Sequence, residues 1–107
     1  MDLLKEPFEF LELEDGKSIT LAVNRFEEGD AVIHPLYPGA PAEKRIPVMR
    51  LHVPAEYKPI GVPYWDVTSK TLQAQLRPLL PGLIKEKGDV TITAHGSGPA
   101  KRFSVRV

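Results

Sequence analysis

Eleven prolines in 107 residues decide where regular structure can run. Each proline locks its own φ, lacks an N–H donor and restrains the residue before it. The constraint is sharpest in "VPYWDVTSKTLQAQLRPLLPGL", Val62–Leu83. Thr68 is a helix N-cap by type, and Val67 with Leu72 fits a hydrophobic staple; Asp66 is an alternative cap. Leu72, Leu76, Leu79, Leu80 and Leu83 fall on one amphipathic stripe. Pro78 breaks the backbone ladder and would clash with the carbonyl of Ala74, at a cost of about 3 kcal/mol in a straight helix. The spacing therefore predicts a helix over Ser69–Arg77, with Arg77 pushed off helical geometry, then a kink. A second turn opens at Pro81, runs through Ile84 and is stopped by Gly88, so one kinked helix occupies 68–86. Because the stripe crosses the kink, both pieces lie on the same core.

Elsewhere the chain reads as strands. "FEFLEL" (Phe8–Leu13) is strand-like, but its alternation slips between Phe10 and Leu11, as at a bulge or an edge. "EDGK" (Glu14–Lys17) is a turn centred on Asp-Gly. "SITLAVNRF" (Ser18–Phe26) alternates, with Ile19, Leu21 and Val23 on one face. "EEGD" (Glu27–Asp30) reads as a second turn, and "AVIHPLY" (Ala31–Tyr37) as a strand ended by a proline-rich loop. Arg45–Val53 follows, with Pro47 placing part of it at an edge or at the strand start. "PAEYKPIGVPYW" is an extended, proline-stiffened connection. "DVTITAH" (Asp89–His95) and "RFSVRV" (Arg102–Val107) form a hairpin with one apolar face and one face of Thr, His, Ser and Arg.

The chain length suits one domain, 1–107, with a core that needs no staples. It is divided as 8–13 extra strand, 17–53 first three strands, 68–86 helix and 89–107 hairpin. There is no cysteine, so disulfides and thiolate chemistry are excluded. No apolar run approaches the ~20 residues of a membrane-spanning helix, and the acidic N-terminus is unlike a signal peptide. A cytoplasmic protein without membrane contact is expected. One asparagine, two glutamines and many loop prolines are a composition favoured at high temperature.

Formal net charge is zero, but residues 1–30 hold nine acids against three bases (−6) and residues 31–107 five acids against eleven bases (+6). Either the two parts neutralise each other in space, or a basic face is presented to an anionic partner.

In the order β-β-β-β-α-β-β, the last five strands and the helix of this mainly β, α+β chain resemble an OB-fold, a small antiparallel barrel. The likeness covers residues 17–107, with Phe8–Leu13 as an extra strand, and rests on element order. It implies a binding surface across the second and third barrel strands, framed by the first-second and fourth-fifth loops. On those strands lie His34, Tyr37, Arg45, Arg50 and His52, and the fourth-fifth loop offers Lys101 and Arg102. The first-second loop, "EEGD", departs from this: its three acids would repel phosphate.

The expectation drawn is a non-enzymatic protein that binds single-stranded DNA or RNA with low sequence specificity. Arg45, Arg50, Lys101, Arg102 and Arg106 would meet phosphates, while Tyr37 and Tyr64 or Trp65 would stack on bases. Packing under the helix start is the other role open to Trp65. The alternative function is a protein-interaction or self-assembling module, a homo-oligomer included. His34, His52 and His95 are scattered and match no metal-ligand spacing. "HGSG" lacks the strand-turn-helix setting of a nucleophile elbow, and "GSGPAK" lacks the end of a phosphate loop. No catalytic residue, metal or cofactor is expected.

Overall fold

The computed structural model describes residues 2–107. Six strands and two helices run in the order β1 (Ser18–Ala22), β2 (Arg25–Ile33), β3 (Lys44–His52), β4 (Tyr64–Val67), α1 (Lys70–Leu76), α2 (Leu80–Glu86), β5 (Asp89–His95) and β6 (Arg102–Arg106). They build two antiparallel three-stranded sheets, ordered β1-β5-β6 and β2-β3-β4. No strand pairing joins β4 to β6 among the described residues, so no closed barrel is formed.

β1 and β2 are one length of chain bent at Val23–Asn24. The core residues Ile19, Leu21 and Val23 keep one parity and Phe26 takes the other. The phase slips by one residue, which transfers the chain from β5 to β3. Asn24 N–H donates to the His52 carbonyl at 2.7 Å and secures the bend.

Three expectations are corrected here. "EEGD" is not a turn but lies inside β2, in register with Val48–Arg50 and Pro47. Gly29 is required because a Cβ there would lie 2.6 Å from the Asp2 carbonyl oxygen and 2.9 Å from the Leu4 side chain. Its role is close approach of another chain segment rather than turning. Phe8–Leu13 is not a strand: it makes one isolated parallel bridge, Phe10 to Asp66. A further isolated bridge joins Leu3 to Asp30. The N-terminal segment thus touches both edges of the β2-β3-β4 sheet and crosses its outer face as a strap. Leu11 and Leu13 then pack against the core.

The third correction concerns the helix. Ser69, not Thr68, is the cap, accepting from Leu72 N–H at 3.2 Å. Arg77 keeps helical dihedrals (φ −52°, ψ −45°), and Pro78 divides the expected kinked helix into two. Pro81 stands in the first turn of α2, where a missing N–H costs nothing. The leucine stripe does cross the break: Leu72, Leu76 and Leu80 are buried. They meet Leu21, Met49, Leu51, Val67, Val90 and Ile92 in one core. On the other side α1 covers the edge of β6, with Gln75 Nε2 donating to the Phe103 carbonyl at 2.9 Å. No helix among the described residues is long and apolar enough to cross a membrane.

Gly29→Ala should dislodge the strap while leaving the leucine core folded. Faster hydrogen exchange at the Leu4 and Asp30 amides, with α1 amides unchanged, is the expected result.

Candidate functional site

Two polar surfaces arise from these elements. The first is the outer face of β2-β3-β4. Strand alternation and register set Glu27, Arg50 and Asp66 in one row and Arg25, His52 and Tyr64 in the next. Arg50, only 3% exposed, donates from Nε to Asp66 Oδ1 at 2.7 Å and from Nη2 to Oδ2 at 3.3 Å. Its guanidinium lies 3.9 Å from the centre of the Tyr64 ring and 5.3 Å from that of Phe8. The strap closes over this cluster. Arg50 and the Tyr64 hydroxyl both donate to the Pro7 carbonyl, and Glu9 N–H donates to Asp66 Oδ2 at 3.0 Å. Burial pushes the Tyr64 phenol pKa up. Beside the pair, His52 Nε2 lies 2.6 Å from Glu27 Oε2, and this hydrogen bond holds the Glu27 carboxyl below its ordinary value. A partly open cleft of about 590 Å³ remains between strap and sheet, lined by Arg25, Glu27, His52 and Tyr64 among others.

The second surface is the outer face of β1-β5-β6. Ile19, Leu21, Val90, Ile92, Phe103 and Val105 point to the core. Alternation turns Ser18, Thr20, Asp89, Thr91, Thr93, His95, Arg102, Ser104 and Arg106 outward. Register aligns Ser18, Thr93 and Ser104 in one row and Thr20, Thr91 and Arg106 in another, with His95 opposite Arg102. Hydroxyls join across strands, Ser18 to Thr93 at 2.7 Å and Thr20 to Thr91 at 2.9 Å. His95 Nε2 lies 2.9 Å from Ser104 Oγ.

The eight residues expected to form one nucleic-acid site are therefore dispersed. Arg50 and Tyr64 are buried under the strap. Trp65 is half-buried on the core side; its Nε1 has no hydrogen-bond partner and Lys58 Nζ lies 4.6 Å from its ring centre. Lys101 donates to the Leu13 carbonyl. Tyr37, 58% exposed, stands in the proline-rich β2–β3 loop. Arg45, at the start of β3, pairs with Asp30 at 2.9 Å. Only Arg102 and Arg106 share an open face. The hydroxyls around them were missed as site residues because the partnership of β1 with β5 is set by long-range register. The period-two pattern of Ser18 and Thr20 against Ile19 and Leu21 was the available signal.

The charge polarity of the chain is used internally. Among the described residues, three ion pairs join an acid from residues 1–30 to a base from residues 31–107, Asp30–Arg45, Glu9–Lys58 and Glu28–Arg77, and Glu27 is hydrogen-bonded to His52. Arg102 and Arg106 take part in none of them. Among the described residues, no three His, Cys, Asp or Glu side chains are grouped to hold a metal ion. No protein-family model, characterised protein or solved structure matches the chain.

Removing one member of a buried ion pair leaves the other uncompensated, which costs about 3–5 kcal/mol. Asp66→Ala should lose about that much stability in urea unfolding, whereas the double change Arg50→Met with Asp66→Leu should lose much less. At the exposed pair, the hydrogen bonds from Arg77 lower the pKa of Glu28 from its ordinary 4.5. A depressed carboxylate pKa stabilises the fold above the unfolded value, and that contribution disappears as pH falls through the folded value. Arg77→Ala should therefore be less stable than wild type at pH near 7, with the gap narrowing by about pH 3. Thermal melts at the two pH values check this.

Proposed function

We propose that this protein is a non-enzymatic binder of single-stranded nucleic acid, and that its contact surface is the outer face of β1-β5-β6. The observation that carries the reading is the state of the arginines. Arg25, Arg45, Arg50 and Arg77 are each held by a carboxylate. Arg102 and Arg106 stand on an exposed strand face among hydroxyls and enter none of these pairs; Asp89, in the row next to Arg106, accepts from the Tyr57 hydroxyl at 3.1 Å. A guanidinium in such a setting can meet a phosphate without first leaving a carboxylate. The surrounding Ser and Thr hydroxyls donate to phosphate and sugar oxygens, which position a strand without reading its sequence.

The finer fold reading supports the same class. The pairings run β4-β3-β2, continue along the bent chain into β1, then β5-β6, with the helices following β4. This order supports reading the chain as an OB-like barrel with β4 as an added edge strand, left open between β4 and β6. The binding face proposed here departs from the one the resemblance implies, because the strap covers the latter. Among the outward side chains of β1, β5 and β6 there is no Phe, Tyr or Trp, so the reading includes no stacking of about 1–3 kcal/mol per base on such a ring. Binding is expected to be weak, indifferent to sequence and dependent on salt.

A second reading, protein interaction, draws on the β2–β3 loop. There Leu36 is 98% exposed beside Tyr37. The loop is braced by His34 Nδ1 lying 3.0 Å from the Ala42 carbonyl and by a turn closed from Ala40 N–H to the Tyr37 carbonyl at 3.1 Å.

Anisotropy of labelled oligo(dT) at low salt tests the main proposal. Two phosphate contacts predict a slope of log K against log salt of about −1.4. Arg102→Glu with Arg106→Glu should weaken binding by about tenfold or more, while Leu36→Ala leaves it unchanged. Unchanged binding by the double variant would remove this face as the site.

A further inference from the structure

The strap lies on the β2-β3-β4 sheet as a peptide ligand lies in a groove. At the β2 edge, Asp30 N–H donates to the Asp2 carbonyl and Leu4 N–H to the Asp30 carbonyl, both at 2.9 Å. At the β4 edge, Asp66 N–H donates to the Glu9 carbonyl at 2.8 Å and Leu11 N–H to the Asp66 carbonyl at 2.9 Å. Between the edges, Arg50 and Tyr64 hold the Pro7 carbonyl. None of residues 2–10 is buried, yet Arg50, Tyr64 and Asp66 beneath them are. The sheet supplies a formed groove and the segment is its tethered occupant. The tether is the turn Glu14–Lys17, closed from Lys17 N–H to the Glu14 carbonyl at 3.0 Å, with Gly16 at φ +79°.

We propose that this groove also receives the N-terminal segment of a second copy, so that two chains exchange straps and form a twofold dimer. Exchange of an identical element is a low-cost route to such dimers, since the contacts of that element are remade between chains. A foreign peptide would have to displace an occupant tethered at millimolar effective concentration. A second copy displaces it reciprocally and remakes the contacts of the strap, losing only those that close the turn. The groove is also matched to this sequence: Glu9 of the strap meets Lys58, its Pro7 carbonyl meets Arg50 and Tyr64, and its Phe8 ring lies 5.3 Å from the Arg50 guanidinium. The change required is opening of the Glu14–Lys17 turn, where Gly16 permits either conformation.

Leu3 and Asp30 are bridge partners, and the chain has no cysteine of its own. The full-length double variant Leu3→Cys with Asp30→Cys therefore reports whose strap fills which groove. Oxidation over a rising series of protein concentrations, followed by non-reducing electrophoresis and intact mass, should give internal disulfides in dilute samples. In concentrated samples it should give a growing fraction of covalent dimer with two disulfides and no free thiol. The single variants should not form this doubly linked species. Internal disulfides alone at every concentration would overturn the proposal. Should the double variant lose the wild-type melting transition, a mixture of isotope-labelled and unlabelled wild-type chains decides. Intermolecular NOEs from the Phe8 ring to the Arg50 side chain support exchange, and their absence at millimolar protein overturns it.

Discussion

The buried pair of Arg50 and Asp66 is the contact through which three parts of the chain are held together. Asp66 accepts two hydrogen bonds from Arg50 and one from the Glu9 amide, while its own backbone N–H and carbonyl bind the strap. Arg50 in turn reaches the Pro7 carbonyl and lies between two aromatic rings. A buried charge is tolerable only when it is paired and its remaining hydrogen-bonding positions are filled. The strap fills them, so the outer face of β2-β3-β4 requires the N-terminal segment for its own electrostatic completion. Gly29 follows from the same constraint, because the segment can cross there only where no side chain stands in its path.

This arrangement explains which elements could be read from the sequence. β5, β6 and the leucine stripe were legible because each has one face in the core and the other open. Alternation in Val90–Ala94 and Phe103–Val105, and the helical spacing of Leu72, Leu76 and Leu80, then report burial directly. β4 was not legible. Trp65 and Val67 face the core while Tyr64 and Asp66 are covered by the strap. A strand covered on both sides loses its period-two signature, and its four residues follow Pro63, where a loop was the natural reading. β3 shows the same effect in Val48–Leu51, four buried residues in succession. There Pro47 does fit its expected place, since β4 pairs only with Met49–His52 and leaves this part of β3 with one neighbour. "EEGD" was misread for a related reason. Its composition is that of a turn, and only its backbone pairing with Pro47–Arg50 of β3, distant in sequence, makes it a strand.

The candidate site was legible to a smaller degree. Arg102 and Arg106 could be placed on the polar face of a hairpin from alternation alone. Arg50 and Tyr64 had the right residue types on expected strands, but their engagement depends on partners distant in sequence: Pro7, Phe8 and Asp66. Charge counts gave the polarity of the chain and not its use. The contacts show that Glu9, Glu27, Glu28 and Asp30 of the acidic N-terminal part are bonded to bases from the remainder, while Arg102 and Arg106 of β6 stay outside these pairs.

A comparison of magnitudes separates the two faces as anion-binding surfaces. For Arg50 to meet an external phosphate it would have to leave Asp66, and an uncompensated buried carboxylate costs about 3–5 kcal/mol. A hydrogen bond to a charged group contributes about 1.5–3 kcal/mol. Such an exchange is unfavourable while the strap is in place, and opening the strap would also break its backbone bonds at Asp30 and Asp66. Arg102 and Arg106 face no such opposing term, because neither holds a carboxylate and both already lie in water. The sheet that gives up its cations to internal order is thus poorly suited to an outside anion. The sheet ordered by hydroxyl pairs and a leucine core keeps its arginines available.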